Sequence, residues 1–127
     1  MGNSFGCMTQ FKDKTAVIVE DDPFIAADLE GILQDLGVEV LAICTTVNEA
    51  MEAVQKIDAD IFTLDYELGS ETSDPVAKKL RTESKSFIVI SGRVEQLAGQ
   101  SNFSDTPLLS KPVDPSALAT AIKKAVD

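Results

Sequence analysis

From Lys14 onward the chain alternates two periods. Short continuous apolar runs, the mark of strands covered on both faces, are separated by segments whose apolar residues recur every three or four positions. Thr15 to Val19 is the first such run. Asp22-Pro23 then supplies an N-cap and a first-turn proline for a helix over Pro23 to Leu36. Ile25, Leu29, Ile32, Leu33 and Leu36 form its apolar stripe, and Gly37 suits the position just past its end. Val38 to Ile43 predicts a second strand. A helix capped by Thr45 or Thr46 and running to about Ile57 follows, with Val47, Ala50, Met51 and Val54 inward.

Asp60 to Leu64 predicts a third strand, and Leu68-Gly69-Ser70 opens a loop. Asp74-Pro75 repeats the cap-and-proline signal before a helix to Arg81. Phe87 to Ile90 is the fourth strand, Val94 to Gln100 a short helix, and Pro107 to Ser110 the fifth strand. Asp114-Pro115 starts the last helix, with Leu118, Ile122 and Val126 inward.

Five strands alternating with five helices predict an α/β domain. Right-handed crossovers make it a doubly wound parallel sheet with helices on both faces. In such sheets ligands sit in the crevice at the carboxyl ends of the strands, so the strand ends are the candidate sites.

The length of 127 residues suits one domain, which buries roughly two-thirds of its unfolded surface. No run approaches the ~20 apolar residues of a membrane span. Eleven basic residues against twenty-one acidic ones give a formal charge of -10, which argues against nucleic-acid binding and favours a divalent cation near any acidic cluster. The absence of histidine excludes Ser-His triads, zinc sites of histidine type and phosphohistidine chemistry on this chain. Cys7 and Cys44 form no C-x-x-C pattern, Cys44 reads as a small core residue, and a cytoplasmic protein without disulfides is expected. MGNSFGCM fails the myristoylation pattern at Gly6 and lacks the apolar core of a secretion signal, so residues 1–13 read as a disordered leader before a domain over 14–127.

The strand ends are rich in charge. Glu20-Asp21-Asp22 follows the first strand, Asp65 the third, Ser91-Gly92 the fourth and Ser110-Lys111-Pro112 the fifth. Carboxylates without histidine or paired thiols are hard oxygen ligands suited to Mg²⁺ or Mn²⁺. Lys111 adds a point charge for a phosphoryl oxygen, and the Ser91 hydroxyl can donate to the same group. Such a set reads as a Mg²⁺-dependent phosphoryl-transfer site with a carboxylate nucleophile. For Asp22 the simpler role of helix cap prevails.

VIVEDDP, TLDYELGS, VISGR and LLSKPVDP, in this order and spacing, resemble the receiver domain of two-component response regulators, over Lys14 to Val126. The resemblance implies a flavodoxin-like (βα)5 fold with strand order 2-1-3-4-5. It also implies that Asp65 is the phosphoacceptor, Asp21 a direct Mg²⁺ ligand, and Glu20 a ligand through water. The Glu67 backbone carbonyl is implied as a third protein ligand, Lys111 as the partner of the phosphoryl group, and Ser91 as the hydroxyl that turns toward it. A cis Lys111-Pro112 bond is implied as well. EDDPFIAADLE, SETSDPVA and KPVDPSAL are similar to single-domain receivers that serve kinases of the HWE and related families.

By this resemblance the chain is a regulatory phosphoacceptor rather than an enzyme. It takes its phosphoryl group from a histidine kinase or histidine phosphotransfer protein. With no output domain expected, it signals to an unnamed partner through the face of the fourth helix, fifth strand and fifth helix, or acts as a phosphate sink. The alternative is a Mg²⁺ phosphohydrolase with an aspartyl intermediate, because Asp65-Tyr66-Glu67 resembles a D-x-D nucleophile motif. Two departures stand out. Leu108 occupies the place of an aromatic switch residue, and Glu67 and Arg93 are placed to pair across the site and gate hydrolysis.

Overall fold

A computed structural model describes residues 10–93 and 106–126. The main sheet is built from β1 (Thr15–Val19), β2 (Glu39–Cys44), β3 (Ile61–Asp65), β4 (Phe87–Ser91) and β5 (Leu108–Ser110). All pairings are parallel, and the order is β2-β1-β3-β4-β5, the expected doubly wound arrangement. Four helices are described: α1 (Pro23–Asp35), α2 (Val47–Lys56), α3 (Asp74–Thr82) and α4 (Pro115–Val126). The short helix expected over Val94 to Gln100 lies outside the described residues.

Strand side chains alternate between two apolar layers, as the pleat requires. Val17, Val19, Phe62, Leu64 and Val89 pack with Val54 of α2 and Leu80 of α3. Ala16, Ile18, Ile61, Ile88 and Ile90 pack with Leu33 of α1 and Ile122 of α4. This double coverage explains the unbroken apolar runs of the central strands. β2, at the sheet edge, instead alternates in exposure, with Leu41 and Ile43 about 40% exposed. Its register against β1 slips once: Ala16 pairs with Val40 but Val17 with Ala42, so Leu41 is the extra residue of a bulge.

Local chemistry sets the helix ends. Asp22 Oδ1 accepts from Phe24 N at 2.9 Å and caps α1. Past its end, Gly37 (φ 92°) donates to Gln34 O at 3.0 Å and Val38 to Leu33 O at 2.9 Å, a double closure that needs the left-handed residue. The buried residues of α1 are Ala26, Leu29 and Leu33, with Ile25 only half-buried, a small rotation from the expected stripe. Thr46 caps α2 by accepting from Glu49 N at 3.1 Å. Asp114 Oδ2 accepts from Ala117 N at 3.1 Å at the start of α4.

The remaining Asp-Pro pair, Asp74-Pro75, behaves differently. Ser73, not Asp74, occupies the cap position of α3, with no side-chain cap bond, and Asp74 is the first helical residue. Between β3 and α3 the chain forms a small antiparallel hairpin, Glu67 opposite Thr72 and Leu68 opposite Glu71, where the sequence indicated only a loop. Phe11, inside the segment expected as leader, is buried in the α1/α4 layer, and its N–H donates to Leu36 O at 3.0 Å.

Candidate functional site

The carboxyl ends of β1, β3, β4 and β5 bring Glu20, Asp65, Ser91 and Lys111 to one edge. Backbone bonds fasten each of them. Glu20 N donates to Cys44 O at 2.9 Å, Tyr66 N to Ile90 O at 3.2 Å, and Lys111 N to Ser91 O at 3.1 Å, so each ladder runs one residue beyond its strand. The Lys111-Pro112 bond is cis.

Glu20 and Asp65 are buried, at 2% and 7% exposure. Lys111 Nζ lies 3.1 Å from Glu20 Oε1 and 3.1 Å from Asp65 Oδ1, bridging the two acids. Asp21 is exposed, yet its carboxylate joins theirs: oxygens of Glu20, Asp21 and Asp65 all lie within 4.8 Å of one another.

Burial is the largest influence on Glu20, and with the nearby Asp65 charge it pushes the pKa up to about 7 despite the opposing bonds from Asp22 N and Lys111. For Lys111, burial works to lower the pKa, but the hydrogen bonds and charges of Glu20 and Asp65 together raise it. A buried pair of acids held by one lysine, with a third acid at the rim, is a strained charge distribution. A divalent cation among these oxygens relieves it, and an all-carboxylate donor set fits Mg²⁺ or Mn²⁺.

Around this centre, Asp21 Oδ2 accepts from Gly69 N at 3.0 Å, which ties the hairpin tip to the acidic cluster. Glu67 begins the hairpin with its side chain in solvent. Ser91 is buried, and its Oγ accepts from Arg93 N at 2.9 Å. Arg93 Nη1 reaches Glu67 Oε2 at 3.5 Å, so the two expected partners do meet. Leu108 is partly buried against the α2/α3 layer. Burial, with Glu49 nearby, pushes the Cys44 thiol up to about 11, which fits a core residue rather than a nucleophile. Lys111 also lines an apolar groove of 420 Å³ between α1 and the turn Lys111 to Val113 after β5, and Phe24 on its rim is 84% exposed.

Two participants were not visible in the sequence. Gly69 reads there only as a turn residue. Asp74 reads as a cap, but its Oδ2 accepts from the Tyr66 hydroxyl at 3.3 Å and the Thr72 hydroxyl at 3.2 Å. The signal that could have found it is the Ser-Asp-Pro order, in which Ser73 can take the cap position and release the acid.

Comparison with known proteins gives one consistent relationship. The model of the response regulator receiver domain family matches residues 16–123. The phyllosphere-induced regulator PhyR of Methylorubrum extorquens is 30% identical over 116 residues, covering 87% of this chain and 42% of the relative. The chain therefore spans less than half the length of that relative. Among solved structures, SdrG from Sphingomonas melonis Fr1 is 32% identical with a TM-score of 0.78, covering 90% of this chain and 97% of that one. PhyR from Brucella abortus is 27% identical with a TM-score of 0.76, covering 88% of this chain and 47% of that one.

Proposed function

The chain belongs to the response regulator receiver domain family, and from that premise we propose that Asp65 is its phosphoacceptor in a Mg²⁺-dependent reaction. The observation that carries this reading is the double bridge of Lys111, 3.1 Å from both Glu20 and Asp65, beside an acid cluster of metal-binding size. Residues 14–127, with Phe11 packed into their core, are the responding unit.

In the proposed reaction an Asp65 carboxylate oxygen attacks phosphorus. The P–O bond forms as the P–N bond to a histidine of a kinase or phosphotransfer protein breaks, and the leaving imidazole keeps the electron pair. Lys111 balances charge on the transferred group, and positioning supplies much of the rate. Glu20, Asp21, Asp65 and the Glu67 carbonyl would hold Mg²⁺, which neutralises phosphoryl oxygens when bound. Water later cleaves the acyl phosphate and returns the Asp65 carboxylate.

The Ser91 hydroxyl, engaged with Arg93 N in this state, turns toward the phosphoryl group and releases that bond. With Leu108 in place of an aromatic residue, the signal leaves through the Ser91 hydroxyl and its contact with Arg93 N rather than through a rotating ring. The donor protein rests on the apolar groove lined by Lys111, the residue that also pairs with the reacting carboxylate.

Intact-mass measurement with acetyl phosphate and Mg²⁺ tests the reading on wild type and Asp65→Asn. A single phosphate adduct on wild type and none on the variant is expected. No Asp65-dependent adduct overturns it, and sustained turnover of a phosphomonoester would favour a phosphohydrolase instead.

A further inference from the structure

The hairpin after Asp65 contains only two residues in each strand. A pair this short has little stability of its own, so its position depends on ties to its surroundings. At the tip that tie is Gly69 N to Asp21 Oδ2, with Gly69 in the left-handed region at φ 63°. At the foot, Ser73 N donates to Tyr66 O at 2.8 Å, and Asp74 Oδ2 collects the hydroxyls of Tyr66 and Thr72. Tyr66 directly follows Asp65, and Thr72 is the residue opposite Glu67. Asp74 thus joins the two sides of the hairpin where it leaves the sheet.

An acid in the first turn of α3 could serve the helix end from solvent, through the dipole alone. Asp74 instead turns one oxygen to two hydroxyls, and its other oxygen, Oδ1, is buried without a partner. Keeping a carboxylate in that setting costs solvation, which the two hydroxyl bonds partly offset.

Resting on the reading of Glu20, Asp21 and Asp65 as a Mg²⁺ site, we propose that Asp74 is a positioning residue. It fixes the hairpin against Asp21 through Tyr66 and Thr72, and so sets Mg²⁺ affinity from outside the acidic cluster. Groups that orient metal ligands without touching the ion often matter nearly as much as the ligands.

Mg²⁺ alone is the probe, titrated into the full chain by calorimetry. Emission from Tyr66, the single tyrosine in a chain without tryptophan, gives a second readout at the hairpin foot. Asp74→Ala is expected to weaken Mg²⁺ binding by roughly tenfold. Asp74→Asn keeps an acceptor oxygen and is expected to bind within about twofold of wild type, rescuing the loss. Thr72→Val and Tyr66→Phe remove only the hydroxyls, leave the acid at the helix start, and keep the test valid should Asp74→Ala fold poorly. Each should weaken binding alone and add little in the Asp74→Ala background, since the three act as a unit.

Equal affinity in wild type and Asp74→Ala overturns the proposal, as does an equal loss in Asp74→Asn and Asp74→Ala, which would assign the effect to charge. If wild type binds no more Mg²⁺ than Asp65→Asn, the site reading itself fails and takes this inference with it.

Discussion

Arg93 Nη1 stands 3.5 Å from Glu67 Oε2, and each residue lies two positions beyond a buried side chain of the site, Ser91 and Asp65 respectively. The pair links the segments that follow β4 and β3. Both side chains are more than half exposed, so it contributes little to folding, about 0.5 kcal/mol or less. Its expected effect is kinetic. Arg93→Ala and Glu67→Ala should each speed loss of the phosphoryl group by up to about fivefold, the equivalent of ~1 kcal/mol. Added salt should do the same to wild type and not to the variants. Dephosphorylation followed by phosphate release checks this, and unchanged rates in both variants would remove the gating role.

Glu20 makes a pH prediction whose sign is unusual for an acid. Its folded pKa of about 7 lies above its ordinary value of 4.5, so the folded state holds the proton longer than the unfolded one. Metal-free stability should therefore fall as pH rises from about 4.5 to 7 through this group, by on the order of 3 kcal/mol. Glu20→Gln should flatten that slope and stabilise the metal-free chain at pH 8, while impairing Mg²⁺ binding. Lys111, with a raised pKa, works in the opposite range: its contribution is present below its ordinary value of 10.5 and is lost as pH climbs past its folded one. Urea melts across pH, with and without Mg²⁺, report both.

The proposed site gives the neighbours Asp21 and Asp22 separable roles. Asp22→Ala should cost about 1 kcal/mol of stability through the lost cap and leave Mg²⁺ affinity nearly unchanged. Asp21→Ala, at an exposed position, should barely move the melt but sharply weaken Mg²⁺ binding. Paired thermal and calorimetric measurements distinguish them. A large stability loss in Asp21→Ala would mean that its bond to Gly69 holds the fold rather than the site.

Much of this was legible because it rests on local patterns. The apolar run before Glu20 marks a central strand, and the doubly wound order then places Glu20, Asp65, Ser91 and Lys111 on one edge with no long-range information. The division of Glu20-Asp21-Asp22 into two acids of the carboxylate cluster and a cap also follows from the proline after them. Asp74 was less accessible, because the same Asp-Pro signal is satisfied with the acid one position inside the helix. What decides between the two is a pair of hydroxyls contributed by the preceding hairpin. The burial of Phe11 likewise depends on a tertiary contact, its bond to Leu36 O at the end of α1, which no local pattern announces.

The slipped register in β2 bears on how the chain behaves at high concentration. Leu41 and Ile43 are two of the three large apolar side chains exposed among the described residues, and both stand on the outermost strand. An open, apolar edge would invite another strand to add to it and begin a growing fibril. The extra residue at Leu41 breaks the spacing of the backbone groups midway along that edge, so an incoming strand finds no uninterrupted ladder to copy. Deleting Leu41 would even the spacing, and the price would be a sheet able to extend itself.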